Sequence, residues 1–262
     1  MDRPVEIETA EPLLAVDISV DYPQKPGVLR GVSFTIQSGE ILGLIGQSGS
    51  GKSTIALAVL RLLEMRGGKV HGSIRFNGCD LMACDDRSLR QIRGRDIGLV
   101  LQSPMSALNP ALRIETQLHE AWRAHRSEPW SQAKGPIQEL LLGMGLPADH
   151  AFLRRYPRHL SVGQAQRVVI AMAVMHRPQL LIADEATSAL DPASQNEILD
   201  LFSTLNRDRQ MAILYVSHDL ASVARLCHMV GVLEQGRLIH WESAARAVQL
   251  ADDGKTRKPL ST

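Results

Sequence analysis

The sequence predicts an α/β fold: short buried strands alternating with helices, and a helical block set into the middle of the sheet. Three observations predict it. "GEILGLIG" (39–46) is a short apolar run of the kind seen in strands covered on both faces, and it leads through a Gly-rich loop into "STIALAVLRLLEM" (53–65), which has helical spacing and length. Short apolar runs ending in polar residues recur towards the C-terminus, as in "QLLIADEA" (179–186) and "AILYVSHD" (212–219). Between Leu101 and Leu180 the pattern changes to helical periodicity.

The elements follow in chain order. Strands are expected at Leu14–Val20, Val32–Ile36, Ile41–Ile45, Ile74–Phe76 and Ile97–Leu101, where β-branched and apolar residues cluster. "RIETQLHEAWRAH" (113–125), "PIQELLLGMG" (136–145) and "VGQAQRVVIAMAVMH" (162–176) read as helices, so a helical subdomain is expected over 103–173. Strands resume at Leu180–Ala183, Ala212–Val216, Met229–Leu233 and Arg237–Trp241, the last two joined by the "EQG" turn of a hairpin. Residues 251–262, "ADDGKTRKPLST", read as a flexible tail on a single domain spanning 1–262.

Bulk properties narrow the function. At 262 residues the chain can bury a full core, and 44% hydrophobic with 22% charged residues describes an ordinary globule. Lys plus Arg is 29 against 28 for Asp plus Glu, so no polyelectrolyte attraction to nucleic acid is expected. Cys79, Cys84 and Cys227 form no CxxC pair, and neither a disulfide framework nor a zinc site is expected. The opening "MDRPVEIETAEP" lacks the apolar core of a signal peptide, and no run approaches 18 apolar residues, so the chain is not expected to span a membrane itself.

"IGQSGSGKST" (45–54) fits GxxxxGK[ST], with Gly46, Gly51, Lys52 and Ser53 at the fixed positions. Glycine lets a ligand approach the main chain, so the N–H groups of Gly46, Gln47, Ser48, Gly49, Ser50, Gly51, Lys52, Ser53 and Thr54 can turn inward around phosphate oxygens. Strand, loop and helix in that order aim a helix N-terminus at the anion. Lys52 is expected on the β- and γ-phosphates of ATP and the Ser53 hydroxyl on Mg²⁺.

Ligands of open α/β sheets lie beyond the carboxyl ends of the strands. Besides the loop, three strands here end in groups suited to MgATP. Asp184 fits the carboxylate that holds Mg²⁺, and Glu185 directly after it is the candidate general base for the attacking water. Gln102 can orient that water or reach the metal, and His218 can hydrogen-bond the γ-phosphate.

"RHLSVGQAQRVVIAMAV" (158–174), together with "GQSGSGKST", "LLIADEATSALD" (180–191) and "YVSHD" (215–219), resembles the ATP-binding-cassette (ABC) ATPases from about Leu13 to Glu242. The resemblance implies a P-loop NTPase cassette: a mixed sheet core with an N-terminal antiparallel β region and an inserted helical subdomain. Leu160–Gln164 is similar to the family's LSGGQ signature, with Ser161 as N-cap of a long helix, so Ser161, Val162, Gly163 and Gln164 are expected to form a second anion site. The resemblance further implies that two cassettes pair head to tail, each signature closing over the other's ATP. It puts Tyr22, 24 residues before Gly46, on the adenine and Asp191 in the loop that crosses between the two sites.

Two positions depart from the family pattern. Val162 replaces the first glycine of the signature; if that position needs φ > 0, a β-branched residue is strained there. Ala186 replaces the usual proline after the acid pair. "LQSPMSALNP" (101–110) resembles the branch powering uptake of peptides, nickel and related small solutes, although the chain stops at Thr262 without that branch's C-terminal His-Pro-Tyr segment or cluster-binding cysteines.

This implies an ATP-hydrolysing subunit, peripheral on the cytoplasmic face of the membrane. Its partners would be a second, identical or different, ABC ATPase, transmembrane permease subunits and, indirectly, an extracytoplasmic solute-binding protein. The alternative is a soluble ABC ATPase in a non-transport enzyme complex, as in carbon–phosphorus bond cleavage.

Overall fold

The computed structural model describes residues 11–244 and 246. Strand β1 (Leu14–Tyr22) pairs antiparallel with β2 (Lys25–Ile36); β3 (Ile41–Ile45) leads through the Gly-rich loop to helix α1 (Lys52–Val59). The chain returns through β4 (Lys69–Phe76), β5 (Cys79–Asp80) and α2 (Asp86–Ile92) to β6 (Ile97–Val100). Five helices follow: α3 (Pro104–Ala107), α4 (Ile114–Arg123), α5 (Trp130–Gly143), α6 (His150–Leu153) and α7 (Val162–Val174). The remainder is β7 (Leu180–Asp184), α8 (Pro192–Arg209), β8 (Ala212–Val216), α9 (Leu220–Leu226), β9 (Met229–Glu234) and β10 (Arg237–Ser243).

The strands form two sheets. One is antiparallel, in the order β2-β1-β4-β5. The other runs β10-β9-β3-β8-β7-β6, parallel except for the edge hairpin of β9 and β10. Strands β3, β7 and β8 are buried along their whole length, which is why they read as unbroken apolar runs. Apolar side chains fill both faces of the parallel sheet. Leu42, Leu44, Ile182 and Leu214 pack with α1 and the antiparallel sheet, while Ile41, Leu181, Ile213 and Tyr215 pack with the helices of the other side. The helical block is anchored through α7, whose Val168, Ile170, Ala171 and Val174 are buried.

Several boundaries differ from expectation. Strands β2 and β4 begin seven and five residues earlier than predicted (Lys25 against Val32, Lys69 against Ile74), because pairing with β1 recruits Gly-bearing polar segments that carry no apolar signal. Helix α1 ends at Val59 rather than near Met65: Arg61 takes φ 51°, and the Arg93 guanidinium donates to the Leu60 and Arg61 carbonyls at 2.8 and 3.1 Å. Helix α5 begins at Trp130, so Pro136, expected to open it, lies within its first half. The tail expected at 251–262 lies outside the described residues.

Asn206 of α8 ties the parallel sheet's neighbouring turns together. Its buried Nδ2 donates to the Gly39 and Met211 carbonyls, each at 2.8 Å. Asn206→Ala leaves both acceptors without this donor and is expected to lower stability by about 1–3 kcal/mol, read as a reduced urea midpoint at unchanged slope.

Candidate functional site

The loop after β3 is shaped by close backbone approach. A Cβ at Gly46 would collide with the Leu233 carbonyl and the Ser50 hydroxyl, and Gly51 sits at φ 110° against Leu29. Gln47, Ser48 and Gly49 are exposed at the loop's crest. The Lys52 ammonium is buried and donates to the carbonyls of Gly46 (2.7 Å) and Gln47 (3.1 Å), closing the loop around itself. Burial holds its pKa below the ordinary lysine value, opposed by the charges of Glu185 and Asp184. Lys52, Ser53 and Thr54 form the first turn of α1, where N–H groups have no intrahelical acceptor. The Ser50 hydroxyl is buried with no hydrogen-bond partner among the described residues. A polyanion fits this arrangement: it supplies acceptors to the turn, to Ser50 and to Lys52.

A cation fits beside it. Asp184, the last residue of β7, is 6% exposed and accepts from the Ser53 hydroxyl at 3.1 Å. Burial raises its carboxyl pKa, with the neighbouring Glu185 adding to the rise and Ser53 and Lys52 opposing it. Hard oxygen donors, one of them a desolvated carboxylate, are the donor set a small divalent cation takes.

Glu185 follows in a left-handed conformation, φ 50°, with its N–H donating to the Val216 carbonyl at 2.9 Å. Strain of this kind in a non-glycine residue persists only where surrounding bonds hold it. Its carboxylate collects the other strand-end groups: Gln102 Nε2 donates to Oε2 at 3.0 Å, and His218 Nδ1 lies 3.7 Å from the same oxygen. Glu185 is 19% exposed in its side chain and His218 60%, so the pair opens to solvent on the histidine side.

Among the described residues no hydrogen bond ties the other predicted residues to this cluster. Ser161 caps α7, its Oγ accepting from the Gln164 N–H at 3.1 Å while Gln164 Oε1 accepts from the Ser161 N–H at 3.2 Å. Among the described residues no hydrogen bond joins this segment to the Gly-rich loop. Gly163 faces the Ser194 side chain. Val162 is absent from the left-handed residues and occupies the first helical position with its side chain exposed, so the strain expected there does not exist. Asp191 caps α8, accepting from the N–H groups of Ala193 and Ser194 and from the Ser194 hydroxyl at 2.6 Å. Tyr22 ends β1 with its ring beside Gly68 and Leu63.

One group of positioning residues escaped the sequence reading. Beneath Ser217 and His218 lies a buried hydroxyl chain in which Tyr215 Oη meets Thr187 Oγ1 at 2.9 Å and donates to Ser222 Oγ at 3.2 Å, and Ser222 Oγ lies 3.3 Å from Ser217 Oγ. Asp219 caps α9 and accepts from Gln195 Nε2 of α8 at 2.8 Å. The chain joins the segment after β7 to that after β8. Its sequence signal was a lone tyrosine inside an otherwise aliphatic strand.

Comparison with known proteins bears on the family and the fold. The profile of the ABC transporter family matches residues 29–188. The ABC transporter ATP-binding protein YejF of Escherichia coli is 40% identical over 255 residues, covering 95% of this chain and 48% of that protein. The glutathione import ATP-binding protein GsiA of Escherichia coli is 34% identical over 272 residues, covering 98% of this chain and 42% of its own length. An ATP-binding protein of Brucella abortus named for peptide import is 38% identical over 236 residues, covering 89% of this chain and 71% of its own. The chain thus spans less than half the length of YejF and GsiA. Among solved structures, cbiO1 from Clostridium perfringens superposes with a TM-score of 0.78 at 24% identity, covering 95% of this chain and 96% of that one. A dimeric ATP-binding cassette in a post-hydrolysis state with ADP and Pi superposes with a TM-score of 0.77 at 26% identity, covering 88% and 98%.

The buried Asp184 carboxylate supplies a test that needs no ligand. Its raised pKa means that ionisation costs stability; the cost is full above the folded pKa and vanishes as pH falls below the unfolded carboxylate value. Asp184→Asn keeps an acceptor for Ser53 and removes the charge. The nucleotide-free variant is expected to melt higher than the parent at neutral pH, and the difference to shrink on acidification, as followed by thermal unfolding.

Proposed function

This chain belongs to the ABC transporter ATP-binding family, and from that premise we propose that it is the ATP-hydrolysing, energy-coupling subunit of a membrane importer for peptides or similar small solutes. The observation that carries the catalytic part is the convergence, at the carboxyl ends of the parallel strands, of a polyanion loop, a cation-binding carboxylate and a second carboxylate gripped by two polar strand-end groups. The solute class rests on the names of relatives, which point to peptide and glutathione import.

The residues divide the work. Gly46–Thr54 bind the phosphates through main-chain N–H groups, and Lys52 exchanges its loop carbonyls for β- and γ-phosphate oxygens. Ser53 and Asp184, with Gln102, would hold Mg²⁺, which when bound would neutralise phosphate charge. Glu185 takes a proton from the attacking water as the water oxygen bonds to the γ-phosphorus and the bond to the ADP oxygen breaks, ADP leaving; Gln102 and His218 orient Glu185 and the water and stabilise charge on the transferred phosphoryl group. Tyr22 stacks on the adenine. Ser161–Gln164 and Asp191 act on the nucleotide of a second ATPase subunit, a use supported by the signature's helix-terminal position and by the lack, among the described residues, of any hydrogen bond from it to its own loop.

The helical subdomain, 103–173, passes closure of that pair to permease subunits, and the chain sits peripherally on the cytoplasmic face. No helix among the described residues is long and apolar enough to cross a membrane.

Two substitutions separate the roles. Glu185→Gln removes the base and keeps the shape; phosphate release is expected to fall by at least about 100-fold while ATP still binds and a MgATP-dependent dimer accumulates on sizing columns. Unchanged turnover would strike Glu185 from its role. Lys52→Ala instead removes charge-assisted contacts and is expected to weaken binding of a fluorescent ATP analogue by roughly 10- to 150-fold, corresponding to about 1.5–3 kcal/mol.

A further inference from the structure

The sequence offered no cysteine pairing, yet the fold creates one. Cys79 opens the two-residue strand β5, and Cys84 lies in the turn that leads from it into α2. Their sulfur atoms stand 3.8 Å apart, with Cys79 exposed and Cys84 half-buried. The turn between them is held from below. Arg61 donates through Nη1 to the carbonyls of Leu81 (3.3 Å), Met82 (3.3 Å) and Cys84 (2.8 Å), and the Met82 N–H bonds Asp80 Oδ1 at 2.8 Å. Leu81 is buried and its N–H bonds the Ile74 carbonyl. These anchors hold the backbone of the turn between the two residues, so the approach of the sulfurs from 3.8 Å to bonding distance is left to side-chain rotation. Cys227, by contrast, is buried under the sheet with its thiol pushed up by burial.

We propose that Cys79 and Cys84 form a reversible dithiol–disulfide site that exchanges with low-molecular-weight disulfides of the glutathione type. The exposed Cys79 thiolate attacks one sulfur of the small disulfide, forming a mixed disulfide and expelling one small thiolate. Cys84 then gives its proton to solvent and attacks the Cys79 sulfur, expelling the second small thiolate. Two protein thiols are oxidised and one small disulfide is reduced to two thiols. Cys79 is the attacking group because it is the exposed member of the pair, and Cys84 the resolving group because it is half-buried beneath the turn; burial and the neighbouring thiol also hold the Cys84 pKa above the ordinary cysteine value.

The test is intact-mass and peptide analysis of the full chain after incubation with glutathione disulfide and rapid alkylation. The parent is expected to lose two hydrogens, yield a linked 79/84 peptide, and keep Cys227 as a thiol alkylated only after denaturation. Cys84→Ser should stop at a single glutathione adduct on Cys79, and Cys79→Ser should remain unmodified under the same conditions. The oxidised parent should also melt at or above the reduced parent, because the link closes a turn already in place. A stable glutathione adduct on Cys79 of the parent, with no loss of two hydrogens, would overturn the pairing, as would a clear fall in melting temperature on oxidation.

Discussion

The parallel register of four strands is the constraint on which the site depends. Leu44 of β3 lies beside Val216 of β8, Val216 beside Asp184 of β7, and Ala183 beside Val100 of β6. Because parallel strands all point the same way, each chain exit from that edge emerges at nearly the same level: Gly46 after β3, Ser217 after β8, Glu185 after β7 and Gln102 beyond β6. A one-residue slip in any pairing would turn the facing side chain to the other side of the sheet. The register is specified by the aliphatic residues of β3, β7 and β8, buried on both faces, and not by anything polar in the site. Packing thus sets the distance between Glu185 and Gln102, two residues 83 positions apart in the chain.

The site's polar groups are held against their own electrostatic preferences. Lys52 and Asp184 are both desolvated, and each is shifted towards its neutral form. The two lie close enough for each charge to favour the other, which limits the cost without removing it. A site of this kind stores affinity for a ligand carrying both signs, such as a metal–polyphosphate complex, since the ligand supplies to each group the counter-charge that the protein withholds. The hydroxyl chain of Thr187, Tyr215, Ser222 and Ser217 works from below: buried hydroxyls are costly unless paired, so their mutual bonds fix the floor under His218 and the exit of β7 together.

Much of this was legible in the sequence because its signals are local. Gly46, Gly51, Lys52 and Ser53 sit at fixed spacing between an apolar strand and a helix, and the acid pair follows directly on an apolar run. Where long-range pairing decided, the reading failed. The early parts of β2 and β4 are polar and Gly-containing, and only the presence of β1 makes them strands. Leu62 and Leu63 continue the helical period of α1, yet Arg93, arriving from α2, takes the carbonyls of Leu60 and Arg61 directly before them, and the helix ends at Val59. Cys79 and Cys84 have the spacing of no familiar motif, and a hairpin and a turn bring them together. Tyr215 stands out within β8 only as a lone tyrosine among aliphatic residues, a signal that does not name its hydroxyl's partners, Thr187 and Ser222.

Val162 shows how a family departure can be re-read once backbone geometry is known. The concern at this position was conformational, since a β-branched residue tolerates a left-handed backbone poorly. With Val162 in the first turn of α7, that concern vanishes and a different one takes its place. The capping box occupies the N–H groups of Gln164 and Ser161, so the donors left for an anion are the N–H groups of Val162 and Gly163 and the Ser161 O–H. A valine side chain leaves the N–H in place but adds bulk on the surface above it, 44% exposed. In the head-to-tail pair proposed above, that bulk would stand on the surface offered to the second chain, so the substitution would act on how closely that chain can come, and not on whether this helix can form.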